Sequence, residues 1–238
     1  MKGFILALQF LTRVPMPRVQ ADHDDFARSM RSFPAAGLVV GLAVAGAAWA
    51  GMWIEAWSGA LGALVIWVGI TGALHLDGLS DLADASGAAH KDRERLLAVL
   101  ADPHVGSFGV VAIVLQLIAK LVLLHALIDA RLLAPLIFVP FAARIGPLVW
   151  ARWLPPLHAG LAARFVAVVR WQDIMGWFAL LAASALLAPA ILATPLLIGG
   201  WWLWLRHRLG GVSGDCHGAG IELVETGLLV ALVIVSHF

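Results

Sequence analysis

GALGALVIWVGITGALHLDGLSDLAD, residues 59–84, decides how this chain is to be read. It runs apolar from Gly59 to Leu76 and then puts Asp77, Asp81 and Asp84 within eight residues. An α-helix turns by about 100° per residue, so positions i, i+4 and i+7 stand at 0°, about 40° and about −20°. If the apolar helix continues, all three carboxylates share one narrow stripe. Like charges so placed repel unless a cation sits among them, and carboxylate oxygens suit a hard cation, Mg²⁺ or Mn²⁺. An acidic helix end in water is the plainer reading. It explains poorly why the acids recur at helical spacing, with Gly78 opening the backbone beside them. The stretch predicts a metal site at the mouth of a membrane helix.

The composition agrees with a membrane helix. Of 238 residues, 61% are hydrophobic and 13% charged, against about 45–50% and about 25% in soluble domains. The expected fold is all-α: a polytopic membrane helical bundle, one integral domain over residues 1–238, with six or seven transmembrane helices of about 20 residues each. A net charge of +1 marks no nucleic-acid footprint, and no nucleic acid is expected as a partner. Cys216 is the only cysteine, which excludes an intrachain disulfide and a cysteine metal cluster. Several of the 11 tryptophans (Trp49, Trp53, Trp57, Trp153, Trp171, Trp177) fall near span ends, where their rings favour the headgroup level of the lipid.

Residues 1–32 form a cytoplasmic or interfacial segment. Gly3 to Leu11 is apolar, but Thr12-Arg13-Val14-Pro15-Met16-Pro17 interrupts it and no small-residue cleavage site follows, which argues against a signal peptide. The spans are predicted at Phe33–Ile54, Gly59–Leu76, Ser107–Ile128, Leu132–Trp150, Ile174–Ala193, Leu196–Leu205 and Ala219–Ser236. Gly37 and Gly41 form a small-xxx-small pair in the first of them; Pro189 and Pro195 break the 174–205 region. With a cytoplasmic N-terminus and seven spans, 13 of the 16 basic residues are cytoplasmic; Arg131 lies outside, and Lys120 and Arg144 lie within spans. This places a cytoplasmic active-site loop at 77–106 and a cytoplasmic Gly-rich loop at 206–218 on one face.

Other segments add phosphate chemistry. Asp102-Pro103-His104-Val105-Gly106-Ser107-Phe108-Gly109 enters the third span. Glycines before a helix N-terminus let backbone N–H groups approach an anion, although a turn capped by Asp102 also fits. Arg95, just upstream, is a phosphate ligand or a solvated charge. Gly210-Gly211-Val212-Ser213-Gly214-Asp215 has the backbone freedom to wrap a phosphate. Glu222 and Glu225 follow on one face of the last span, where a carboxylate is costly without a partner. Lys120 and Arg144 inside spans pair with acids or neutralise phosphate. His75 is a base, a hydrogen-bond donor or a structural residue. Cys216, with no activating base evident, reads as a small packing residue. Together these residues suit metal-assisted phosphoryl transfer.

At these residues the chain resembles the cobalamin synthase family, the adenosylcobinamide-GDP ribazoletransferases. The resemblance runs through Phe10–Pro17, Phe33-Pro34-Ala35-Ala36-Gly37-Leu38-Val39-Val40-Gly41, His75–Asp84, Asp102 with Gly106 and Gly109, and Gly210–Asp215 with Gly218, Ala219 and Glu222. The chain departs from the family pattern at Ser80, Ala101, Pro103, Ser213 and His217, where the family more often has Ala, a basic residue, Ser, Thr and Leu. None of these removes a carboxylate.

The resemblance implies Mg²⁺ as cofactor. It also implies adenosylcobinamide-GDP and α-ribazole, or its 5′-phosphate, as substrates, and GMP as leaving group. The expected metal ligands are Asp77, Asp81 and Asp84 with Asp102, Asp215 and Glu222. Asp81, Asp84, His75 and Asp102 are the catalytic candidates, the proton acceptor being open among Asp84, Asp102 and His75. Arg13, Arg95, Gly106, Lys120, Arg144, Gly211, Ser213 and Gly214 are the expected substrate contacts. Membrane lipid surrounds the chain, and a homo-oligomer is left open. Two other functions share parts of this pattern. A CDP-alcohol phosphotransferase uses the same metal logic, but its longer pattern needs an Ala-Arg pair after Gly78 that is absent. An ion-coupled transporter would set its acids near mid-membrane and often shows two related halves.

Overall fold

A computed structural model describes residues 1–88, 93–100, 102, 104–157, 164–165 and 168–237. Parts of the expected 77–106 loop (89–92, Ala101 and Pro103) lie outside the described residues. Within them all regular secondary structure is helical, apart from one isolated parallel bridge between Pro156 and Val212. The helices are α1 Lys2–Leu11, α2 His23–Ser29, α3 Phe33–Gly51, α4 Ala56–Thr71, α5 Leu74–Ala88, α6 Arg93–Leu100, α7 Ser107–Asp129, α8 Phe138–Ala143, α9 Gly146–Trp153, α10 Trp171–Ser184, α11 Thr194–Arg208 and α12 Gly214–Val235.

Glycines set how closely these helices approach. A Cβ on Gly37 would stand 2.5 Å from the Pro140 carbonyl oxygen, and one on Gly41 would overlap the Ile137 carbonyl. The small-xxx-small pair therefore brings α3 against the start of α8, as expected. At the α3–α4 turn a Cβ on Gly51 would stand 2.6 Å from the Gly59 Cα. Beside these contacts, Val40, Val44, Ala60, Ala63, Leu124 and Phe141 are buried in the main core.

The 59–84 stretch is not one helix. Gly72 ends α4 at φ +59, its N–H donating to the Gly69 carbonyl while the Ala73 N–H reaches Val68. That pair of bonds satisfies carbonyls the helix end would leave orphaned. Ala73 is also left-handed, at φ +58, and α5 leaves at 85° to α4. Arg13 packs its side chain over Gly72, where a Cβ would collide with it. Gly72→Ala is therefore expected to lower the thermal midpoint of the protein in detergent by several degrees, since it combines positive φ with a clash. Differential scanning fluorimetry checks this.

Polytopic helical architecture stands, but fewer of the expected spans reach full length. Among the described residues, four helical segments are long and apolar enough to cross a membrane, or five if α4 and α5 count as one broken span. The rest of the seven fall short for visible reasons. Pro189 and Pro195 confine α10 to 14 residues and α11 to 15, less than the ~20 that span a bilayer.

Candidate active site

Two helices meet backbone to backbone at the acids. A Cβ on Gly78 of α5 would stand 2.8 Å from the Asp215 carbonyl oxygen, and one on Gly218 of α12 would stand 3.3 Å from the His75 Cα. Only glycines allow this approach, and it carries Asp215 to the aspartate stripe. Asp77, Asp215 and Asp84 all lie close enough to Asp81 to act on its charge. Burial grades along the stripe: Asp77 is exposed, Asp81 and Asp215 are half-buried, and Asp84 is buried. The Ser213 hydroxyl donates to the Asp215 carboxylate at 3.3 Å and accepts the Cys216 N–H at 3.2 Å. Ser213 thus caps α12 and orients Asp215; it is fully buried, facing no solvent through which a phosphate would arrive.

Asp84 has a different task from its neighbours. Its two oxygens accept the N–H groups of Gly106 at 2.7 Å and Gly109 at 2.9 Å. A Cβ on either glycine would overlap the carboxylate. The N-terminus of α7 is an anion site, as its glycines suggested, but the anion is this protein's own aspartate. Gly106 is thereby committed to Asp84 instead of to a substrate phosphate. Gly109→Ala is expected to lower the thermal midpoint and turnover together, because it drives Asp84 from the helix end and loosens α5 from α7. Parallel melting and turnover measurements check this.

Deeper in the bundle lies a buried ionic network. Lys120 on α7 contacts Glu222 at 2.7 Å and Glu225 at 2.6 Å, both on α12. Arg144, between α8 and α9, donates to Glu225 at 2.8 Å and to the Pro140 carbonyl at 2.9 Å. Gln116 donates to Glu222 and Thr226, and Lys120 stands 4.4 Å over the Trp67 ring. Two cations balance two carboxylates, and all four charged side chains are buried. Lys120 and Arg144 are engaged by acids here and are not presented to a phosphate; Glu222 faces Lys120 and Gln116, not the α5 acids.

The remaining expected residues divide. His75 is buried with its Nδ1 3.4 Å from Arg144, and it lines a cavity whose rim carries Asp77, Gly214 and Asp215. Gly214 is exposed with open space where a Cβ would be. Gly211 packs on the Pro155 carbonyl and Leu157, in the short pairing that joins 155–157 to Val212. Asp102 is exposed and held by the His104 ring at 2.6 Å and the His104 N–H at 3.0 Å, which keep its carboxyl below the usual carboxylate range. These bonds turn it to its own chain segment and not to the stripe. Arg13 guards the Gly72 break, and Arg95 is exposed on α6.

Sequence reasoning missed the aromatic side of the cavity, formed by Phe10, Phe33 and Phe165. Phe10 and Phe33 stood inside quoted stretches, but nothing in their spacing told that they meet α5 and α12.

Among the described residues no three His, Cys, Asp or Glu side chains converge as a ready-made metal cage. Mg²⁺ does not need one. It keeps several waters and is held by one or two carboxylates plus substrate phosphates. Asp81 and Asp215, half-buried and mutually repelling, fit that requirement.

The chain was compared with known proteins. The profile of the family described as CobS, cobalamin-5-phosphate synthase, matches residues 3–233. An adenosylcobinamide-GDP ribazoletransferase of Novosphingobium aromaticivorans is 68% identical over 239 residues, 98% of this chain and 97% of its own. The enzyme of that name from Thiobacillus denitrificans is 51% identical over 239 residues, covering 97% and 94% of the two chains. That from Brevibacillus brevis is 33% identical over 242 residues, 98% of each. No solved structure matches.

Proposed function

The chain belongs to the cobalamin-5-phosphate synthase family, and from that membership we propose how its own residues carry out the family's reaction. It is a transferase of cobalamin biosynthesis, an adenosylcobinamide-GDP ribazoletransferase, built on membrane-spanning helices. The observation that carries the mechanism is the backbone contact of Gly78 with Asp215, which gathers Asp77, Asp81 and Asp215 at one open mouth.

Asp81 and Asp215 would hold Mg²⁺, with Ser213 fixing the Asp215 carboxylate as outer partners of metal ligands do. When bound, Mg²⁺ neutralises charge on the diphosphate of adenosylcobinamide-GDP and steadies the leaving group. The α12 N-terminus, exposed at Gly214, faces the same diphosphate with its positive dipole end. The ribose 3′-hydroxyl of α-ribazole, or of its 5′-phosphate, attacks the phosphorus nearer the cobinamide. A new P–O bond forms, the bond to the GMP phosphate breaks, and GMP leaves with the bridging oxygen. Asp77 takes the hydroxyl proton. It is exposed at the cavity rim, whereas both oxygens of Asp84 already hold N–H groups, His75 is buried against Arg144, and Asp102 is turned to His104. Asp84 positions α5 on α7.

We place this mouth on the cytoplasmic face of the bacterial inner membrane. Arg13 packs at the α4–α5 break beside it. Arg152 ends α9, and Arg206 and Arg208 end α11, just before the segments joined by the Pro156–Val212 bridge. Basic residues mark the cytoplasmic end of a membrane protein.

The roles are separable by experiment. Asp81→Asn and Asp215→Asn are expected to raise the Mg²⁺ concentration needed for half-maximal GMP release at least tenfold. Asp77→Asn is expected to lower kcat with that concentration unchanged. A Mg²⁺ titration of GMP release on the purified protein in nanodiscs reads both. Equal Mg²⁺ dependence in all three variants would reject this division of roles, and release of CMP from a CDP-alcohol in place of GMP would reject the reaction.

A further inference from the structure

The cavity beside the acids has a lining that the metal chemistry does not use. Its walls are Phe10 and Leu11 of α1, Phe33 of α3, Leu74 and His75 of α5, Pro147 of α9, Phe165, and His217 and Ile221 of α12. Phe10 stacks on Phe33 with centroids 5.8 Å apart, and Phe165 meets Phe33 edge-on at 5.9 Å. Set into this aromatic box are two buried imidazoles with unmet hydrogen bonds. Among the described residues, His75 Nε2 has no hydrogen-bond partner and neither ring nitrogen of His217 has one. They are 3% and 8% exposed. His217 is held flat against Trp150, centroids 6.0 Å apart. A buried polar atom without a partner is destabilising, so one left beside a cavity points to a ligand that supplies the partner.

We propose that this cavity binds the planar heteroaromatic base of the acceptor, the dimethylbenzimidazole of α-ribazole, with His217 as the hydrogen-bond partner of its ring nitrogen. The inference rests on the transferase reading above and assigns its second substrate a place. Size and polarity select this base. The cavity measures about 150 Å³, well below the ~300–1,000 Å³ of pockets that take drug-sized ligands. One bicyclic ring enters and the corrin does not. Guanine, the other base in the reaction, carries several donors and acceptors that phenylalanine, leucine, isoleucine and proline walls would leave unpaired. Dimethylbenzimidazole in α-ribazole keeps one free acceptor nitrogen and is otherwise apolar, which matches a box of three phenylalanines with one imidazole to spare. A lipid acyl chain fills the space but satisfies neither imidazole. With the base seated here, its ribose emerges at the rim, where Asp77 and Asp215 stand.

The test uses free 5,6-dimethylbenzimidazole on the full chain in nanodiscs, by equilibrium binding and as an inhibitor. It is expected to bind without ribose or phosphate, to compete with α-ribazole, and not to compete with adenosylcobinamide-GDP. Leu74→Trp, at the exposed rim, and Ile221→Phe, from the inner wall, are each expected to weaken that binding and raise KM for α-ribazole at least tenfold. KM for adenosylcobinamide-GDP is expected to stay within about twofold. His217→Leu keeps the volume and is expected to weaken the base about three- to tenfold, the size of one hydrogen bond. The proposal is overturned if the base fails to bind an enzyme that turns over normally. It is also overturned if both cavity-filling variants fold and leave KM for α-ribazole unchanged, or if native mass spectrometry finds a phospholipid there that the base does not displace. Base binding with no GMP release in any condition would reject the transferase reading while supporting the cavity assignment.

Discussion

Asp81→Asn is expected to reduce GMP release by about 10³-fold or more while leaving the protein as stable as before, or more so. The activity loss follows from what the carboxylate holds. A metal that neutralises a diphosphate contributes several kcal/mol of transition-state stabilisation, and each 1.36 kcal/mol is tenfold in rate. The stability gain follows from where the residue stands. Asp81 is half-buried with Asp77, Asp215 and Asp84 acting on it. Asparagine keeps the shape and removes one of the repelling charges. An active-site carboxylate is kept for chemistry at a cost in stability, so activity and stability should move in opposite directions. A structural acid behaves otherwise: Asp84→Asn, which loses charge from a carboxylate bonded to two N–H groups, should lower both. GMP release and thermal melting on the two variants distinguish these behaviours.

Glu225→Ala should have the largest effect on folding. Glu225 is fully buried and accepts from Lys120 through one oxygen and from Arg144 through the other. Its removal leaves two buried cations facing one remaining carboxylate, Glu222. Removing one partner from a buried ion pair costs about 3–5 kcal/mol, a large share of the ~5–15 kcal/mol that holds an ordinary domain. The variant is expected to accumulate poorly and to melt far below the parent. Charge balance, not any single contact, is what matters. Lys120→Met together with Glu222→Gln removes one charge of each sign and leaves Arg144 on Glu225 at 2.8 Å. This double variant should therefore be more stable than Lys120→Met alone. Melting temperatures of the parent, the single variants Lys120→Met and Glu222→Gln, and the double variant form a cycle that reads the coupling.

Much of this arrangement is legible in the residues themselves. Asp77, Asp81 and Asp84 do share a helix, because three acids at helical spacing fit no other element well. Gly37 and Gly41 do make a close helix contact. The polar segments that the charge pattern brought to one face do touch: Gly78 of α5 packs on Asp215 of α12, and Asp84 accepts the N–H groups of Gly106 and Gly109. Other features depend on tertiary partners and leave weak traces. An isolated glycine in an apolar run is often tolerated within a helix, so Gly72 did not announce the 85° break by itself. Gly106 and Gly109 announced an anion without telling which, and the anion proved to be Asp84, more than 20 residues upstream. Lys120 and Arg144 looked available for phosphate because their acids lie far away in sequence. His217 stood out only as a departure from the family's leucine; its meaning came from the unpaired nitrogens and the phenylalanines around it.

The central claim is that Asp81 and Asp215 together hold the divalent ion that the reaction uses. Mn²⁺ in place of Mg²⁺ makes the site visible by electron paramagnetic resonance, on protein in nanodiscs with adenosylcobinamide-GDP present. The expected result is bound Mn²⁺ for the parent and for Asp77→Asn, with affinity lowered at least tenfold in both Asp81→Asn and Asp215→Asn. Mn²⁺ bound with parental affinity by folded Asp81→Asn and Asp215→Asn proteins would contradict the account.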